Sequence, residues 1–204
     1  MIADQPLLLT VRKDMPANNL PEFIAYARAN QKTMQYGSAG VGSATHLGCI
    51  LFNAAIGVDI THVPYRGGAP AMTDLIAGRI DYWCPFSTTA MPQIASGKLR
   101  ALATANDKRS SVLPEVPTMA ESGVKNCEAG TTTALMGPAG MARDIITKLN
   151  SATNKALATN ATRDRFHALG TEVLGGSAAE NDARIKAEFV KWHKVAKAAN
   201  IKLE

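Results

Sequence analysis

One pattern constrains this chain more than any other. Between residues 34 and 104, short β-prone segments alternate with helical ones, and each early strand runs into a loop of small or turn-forming residues. Residues 34–37 predict a strand, residues 38–43 a loop, and residues 44–56 an apolar helix ending near Gly57. Residues 60–63, 64–68 and 69–77 repeat that order, closed by Gly78. Residues 79–84 predict a third strand, followed by a loop at 85–89 and a short helix through Ile94, and residues 99–104 predict a fourth strand. Strands alternating with helical patterns of roughly 10–15 residues predict an α/β lobe around a largely parallel sheet. In such sheets a ligand sits at the carboxyl ends of the strands.

The flanks follow different patterns. Residues 7–11 predict a short strand, and residues 20–29 a helix with Leu20, Phe23, Ile24 and Ala27 on one face and Pro21 and Glu22 favouring its first turn. From residue 107 to 123 the sequence is turn-rich, with Pro114 and Pro117, and Thr118 is placed to cap a short helix. Residues 129–136 predict an extended segment, 137–140 a break, and 142–158 an amphipathic helix through Ile145, Ile146, Leu149 and Leu157. A shorter helix to Leu169, a strand near Val173 and a last helix over 178–199 complete the chain. The strand-loop-helix unit does not recur after Ala129. The expected division is therefore residues 1–128, an α/β lobe that includes the connecting strand 7–11, and residues 129–204, mainly helical. A chain of 204 residues, between one typical domain and two, suits that division.

Composition removes several classes of function. Apolar residues make up 46% and charged residues only 19%, against a usual charged share of about 25%, which argues against disorder and coiled coils. The net charge is +5, but the 22 Lys and Arg nowhere form a run of five, and aromatic residues are few. No nucleic-acid partner is expected, because such partners need clustered cations or stacking platforms. What remains is a mild pull on small anions. Three distant cysteines, Cys49, Cys84 and Cys127, cannot build a disulfide framework. The chain has no 18-residue apolar stretch, and its N-terminus lacks the basic region and apolar core of a signal peptide.

The loop Ser38-Ala39-Gly40-Val41-Gly42-Ser43-Ala44-Thr45 carries the most chemistry. Small residues let main-chain N–H groups approach a ligand, the next helix begins at once, and helix starts attract anions. Ser38, Ser43 and Thr45 add hydroxyls. The loop is not a P-loop, since no Lys follows the last glycine, and it does not complete a dinucleotide fingerprint. One unit later, Tyr65-Arg66-Gly67-Gly68-Ala69 sets a second helix start at the same edge and adds a cation suited to bidentate pairing with a carboxylate. A third loop offers Phe86 as an aromatic wall and Ser87 as a hydroxyl. The bland alternative for each loop alone is a tight turn. Three converging on one edge predict a cleft.

Catalytic and metal readings are weaker. His46 and Cys49 have a metal-like spacing, but a zinc site needs further ligands and none is nearby, so a buried pair is expected and neither metal nor cofactor. Cys84 ends an apolar strand, where a core role outweighs a nucleophile assisted by His62. Asp74, Asp81 and Glu115 show no acid-base pairing. No catalytic residue is expected.

Taken in order, the strings Tyr36-Gly-Ser-Ala-Gly-Val-Gly-Ser43, His46-Leu47, His62-Val-Pro-Tyr-Arg-Gly67, Ala71-Met-Thr-Asp-Leu75, Gly97-Lys-Leu-Arg-Ala-Leu102, Leu113-Pro-Glu-Val-Pro-Thr118, Gly137-Pro-Ala-Gly140 and Lys197-Ala-Ala-Asn-Ile-Lys202 cover nearly the whole chain. The sequence resembles the Bug-type, TctC-like extracytoplasmic receptors of tripartite tricarboxylate transporters. That resemblance implies an α/β fold like type II periplasmic binding proteins, in which two lobes close on a small carboxylate without catalysis. It also implies a periplasmic location and delivery of the solute to membrane transporter subunits. The family's ligand loops match Ser38 to Ser43 and Tyr65 to Gly68.

Two departures from the family pattern stand out. Cys84-Pro85-Phe86-Ser87 occupies a place where relatives carry an acidic or amide pair. Complete receptors also have a further N-terminal stretch holding the signal peptide and half of the first lobe. The implied arrangement is thus one complete lobe plus the C-terminal part of the other, a truncated or partial form. The surface left uncovered should be apolar and suited to homo-oligomer contacts. A ligand-sensing module of the same fold class and a structural fragment that binds nothing are the alternatives.

Overall fold

The computed structural model describes residues 1–198, so the end of the last predicted helix at residue 199 and most of the Lys197-Ala-Ala-Asn-Ile-Lys202 string lie outside the described residues. Within them run β1 (Ala3–Pro6), β2 (Leu8–Arg12), α1 (Leu20–Asn30), β3 (Gln35–Ser38), α2 (Ala44–Ile56), β4 (Thr61–Pro64), α3 (Gly68–Ile76), β5 (Tyr82–Trp83), α4 (Ser87–Ala95) and β6 (Leu99–Thr104). Then follow β7 (Gly130–Thr133), α5 (Arg143–Leu157), α6 (Asn160–Ala168), β8 (Glu172–Val173) and α7 (Ala178–Ala198). None of the described helices is long and apolar enough to cross a membrane.

A five-stranded sheet has the order β4-β3-β5-β2-β6. β3 pairs in parallel with both β4 and β5, whereas β2 runs antiparallel to its neighbours β5 and β6. The sheet is thus largely parallel, as expected, with one strand reversed inside it. The third predicted strand shrinks from residues 79–84 to Tyr82–Trp83. Those two residues still show the alternation of a central strand. Tyr82 faces Phe23 of α1 at 5.3 Å, while Trp83 packs with Ala71 and Leu75 of α3. Helices therefore cover both faces of the sheet. A buried Tyr82 hydroxyl would be costly without a partner, and it donates to Asn53 Oδ1 at 2.6 Å.

Local chemistry sets the helix limits. Asn19 caps α1 by accepting from the Glu22 N–H, and the Glu22 carboxylate returns to the Asn18 N–H, a reciprocal arrangement that closes free donors. Ser43 caps α2 by accepting from the His46 N–H at 3.2 Å. The short helix expected after Thr118 does not form. Its side chain accepts from the Glu121 N–H, but the main chain pairs with β6 through Thr104 and then makes only turns.

The expected division at residue 129 needs one correction. β1, inside the 1–128 segment, pairs antiparallel with β7 and β8 and belongs to the sheet of the C-terminal region. The chain thus crosses between sheets twice. The crossings are bound side by side, with Leu7 N–H donating to Ala129 O at 3.1 Å, Ala129 N–H to Ala105 O at 2.8 Å, and Ala105 N–H to Leu7 O at 2.9 Å. Gly130 lies at this joint. A Cβ there would come within 2.8 Å of the Gln5 carbonyl oxygen, closer than real side chains sit.

Candidate functional site

Because β3, β4 and β5 are parallel, the loops that follow them leave one edge of the sheet. Register places Ser38 beside Pro64 and Gly37 beside Trp83. The first two loops are laced together by Tyr65 N–H donating to Ser38 O at 3.1 Å and Gly67 N–H to Ala39 O at 3.3 Å. The structure therefore brings together residues 38–45 and 65–69, the two predicted ligand loops. The joint between the sheets opens at the same edge, since Leu7 bridges Phe86 and the Leu8 N–H donates to Pro85 O.

The hydroxyls of the first loop serve the loop itself. Ser38 is buried, and its Oγ accepts from Gly40 N–H at 3.1 Å and lies 2.7 Å from His62 Nε2. Thr45 Oγ1 accepts from Ala39 N–H at 2.9 Å, and Ser43 Oγ caps α2. Each of these three side chains satisfies a main-chain donor of the loop. At the start of α2 the amides of Ala44, which is half-buried, and of Thr45, which is buried, have no partner within the helix.

The second loop is the more exposed. Gly67 has φ 106°, a left-handed value that a side chain rarely adopts, and α3 begins without any side-chain cap. The amides of Gly68 and Ala69 at its first turn are thus available, while Arg66 is exposed and makes no ion pair among the described residues. Tyr65 is fixed from behind. Its hydroxyl donates to Asp74 Oδ2 at 2.8 Å, and Arg79 holds the other oxygen of that carboxylate at 2.6 Å. Burial and this bond push the Tyr65 phenol up to about 12, so it remains a neutral donor.

The third loop contributes less than expected. Phe86 is half-buried against the core. Ser87 is buried at the start of α4, and its hydroxyl donates to Gly170 O at 2.7 Å, which ties the lobe to the turn after α6 instead of facing a ligand. Cys84 is fully buried, with its thiol pushed well above the usual range by burial, and its thiol neighbour is Cys49 rather than His62. A thiol held protonated in the core is inert as a nucleophile.

The sequence spacing sets His46 beside Cys49 as a buried pair and gives little weight to a Cys84–His62 contact, but it does not foresee the partner that each histidine has. The two histidines meet each other, with ring centroids 3.9 Å apart. The parallel register of β3 and β4, which sets His62 beside Tyr36, is the signal that points to this contact. A cavity of 520 Å³ is lined by Gly42, Ala44 and Leu47 and by Thr132, Phe189 and Trp192. A second, more polar cavity of 610 Å³ lies away from the loops, among α5, α6 and β8.

Comparison with known proteins places this geometry. Residues 1–201 match the model of the tripartite tricarboxylate transporter family receptor. The UPF0065 protein in the TAR-I ttuE-ttuC' intergenic region of Agrobacterium vitis is 36% identical over 198 residues, which are 96% of this chain and 57% of that protein. Among solved structures, R. palustris Rpa4515 with adipate superposes with a TM-score of 0.88 at 35% identity, covering 98% of this chain and 67% of that one. MatC from Rhodopseudomonas palustris with bound malate gives 0.82 at 33% identity, covering 95% and 67%. The α/β fold is that of the type II periplasmic binding proteins, and the chain spans little more than half the length of its curated relative. The family consists of solute receptors, not enzymes, and this chain belongs to it.

Proposed function

We propose that this chain is a solute-binding protein for a small carboxylate, a dicarboxylate, tricarboxylate or acidic amino acid, that feeds a tripartite tricarboxylate transporter. The observation that carries the reading is the second loop, where the exposed Arg66 stands beside the uncapped first turn of α3 and opposite the start of α2. Two helix starts and a guanidinium at one sheet edge attract anions and match the fork geometry of a carboxylate. The adipate and malate bound to the two structural relatives support the same ligand class.

In this reading the amides of Ala44, Thr45, Gly68 and Ala69 and the side chain of Arg66 contact the ligand. Ala39, Gly40, Gly42, Ser43, Tyr65, Gly67 and Phe86 shape the walls, while Ser38 and Ser87 act from behind as supports. A periplasmic location and membrane transporter subunits as partners come with the reading. Binding by the chain alone is weak, since one sheet edge encloses only part of a ligand. The apolar face of α5 and α7 supports self-association of the isolated chain, to be read by sedimentation.

Isothermal titration with adipate, malate, citrate and glutamate tests the proposal. Heat with at least one of them in wild type, reduced about tenfold or more in affinity by Arg66→Ala, is the expected result. Absence of heat with all four at high protein concentration leaves a structural fragment that binds nothing.

A further inference from the structure

Two imidazoles stand face to face behind the loop that opens α2. Their planes are inclined by 19° at a centroid separation of 3.9 Å, and Tyr36 stacks on His62 at 4.9 Å. Each ring holds a different part of the loop. His46 Nδ1 accepts from the Gly42 N–H at 3.1 Å. His62 Nε2 lies 2.7 Å from Ser38 Oγ, which in turn accepts from the Gly40 N–H. His62 comes from β4 and His46 from the first turn of α2, so the loop is gripped by two elements that its own sequence separates.

The grip depends on protonation. An accepting Nδ1 requires a neutral His46 with its proton on Nε2. A charged His46 would turn N–H against the Gly42 N–H and place a cation on its stacked neighbour. Burial lowers the affinity of both rings for protons, and for His62 burial and the nearness of His46 bring it to about 4. Tyr36 on β3 stacks on both rings, Cys49 and Cys84 act on Tyr36, and α7, packed on α2, brings Glu188 and His193 to the cavity that Gly42, Ala44 and Leu47 line. Asp59 before β4 acts on Tyr36, and no carboxylate acts on either imidazole among the described residues.

We propose that His46 and His62 are positioning residues of the ligand loop: as a neutral pair they hold Ser38, Gly40 and Gly42 so that the α2 amides stay open, and protonation of His46 releases Gly42. The inference rests on reading residues 38–45 as a ligand loop, but its decisive readout needs no ligand.

That readout is the exchange protection of the Gly42 amide, followed by NMR across pH in the full chain, in His46→Ala and in His46→Asn. The Asn carbonyl oxygen takes the place of Nδ1 as an acceptor that cannot be protonated. Wild type is expected to protect Gly42 at neutral pH and to lose about tenfold in protection as His46 titrates. His46→Ala should be unprotected at every pH, and His46→Asn protected and independent of pH. Protection of Gly42 in His46→Ala equal to wild type, or the same loss on acidification in His46→Asn, overturns the proposal. Adipate titrated in parallel should lose more affinity on acidification in wild type than in His46→Asn, where only the protonation of adipate's own carboxylates remains. If adipate and the other carboxylates do not bind at all, the carboxylate reading fails, while the exchange data still decide the role of the histidines.

Discussion

In the five-stranded lobe, α1, α2 and α3 bury Phe23, Phe52 and Leu75 completely, whereas α5, α6 and α7 together bury a single side chain, Leu157. Several large apolar residues of the C-terminal region face outward instead. Phe189 is 76% exposed and Met136 70%, and Ile145, Ile146 and Leu149 form an exposed stripe along α5. The stripe has the spacing of a core-facing helix. Among the described residues no core lies opposite it. The difference teaches that the five-stranded lobe buries its own core, while the C-terminal region carries an apolar face whose counterpart is not among the described residues.

The sharpest way to break this comparison is a matched pair of truncations. Phe52→Ala should destabilise the chain by about 3–5 kcal/mol, because it opens a cavity beneath Tyr82 and Phe23, while Phe189→Ala should change stability by no more than about 0.5 kcal/mol. Urea denaturation measures both, and equal costs would refute the contrast. Next in size, Gly130→Ala at the joint should cost about 1–3 kcal/mol, since the new Cβ meets the Gln5 carbonyl. Thermal melting reads this. A neutral result would mean that the two crossings slide freely.

A smaller effect concerns pH. Folding lowers the affinity of His62 for protons to about 4, below the ordinary 6.5, so the unfolded chain binds more protons in that window. Stability is therefore full above about pH 6.5 and falls as pH drops toward 4, by about 1–2 kcal/mol once the partial exposure of the ring is discounted. His62→Gln should flatten that part of the pH profile of Tm. The smallest expected change in folding belongs to Phe189→Ser with Met136→Ser, which should leave Tm nearly unchanged yet shift sedimentation toward monomer. Unchanged self-association would show that the apolar face is not its seat.

Much of the lobe could be read from local signals. Helix Ala44–Ile56 was expected within the same bounds, because Ser43 and Gly57 punctuate it, and β6 matches the predicted residues 99–104. Long-range pairings were not legible in this way. An apolar run such as residues 7–11 carries no mark of direction, so neither the reversal of β2 within the sheet nor the desertion of β1 to β7 and β8 could be inferred. The site shows the same limit. Small residues pointed to the two loops proposed to hold the ligand, but the bonds of Ser38 depend on His62, 24 positions away, and those of Ser87 on Gly170 across the joint. In a structure already joined by such bonds, a hydroxyl in a loop is more often a brace than a contact.

The central claim, that an anion site lies at the paired starts of α2 and α3, is tested most directly by mapping amide chemical shifts while adipate is added to the ¹⁵N-labelled chain. The account predicts saturable shifts at Ala44, Thr45, Gly68 and Ala69 whose midpoint moves to about tenfold or more higher adipate in Arg66→Ala, while the rest of the spectrum stays folded. Shifts confined to the polar cavity around Arg163 and Gly175, or unchanged binding in Arg66→Ala, would contradict it.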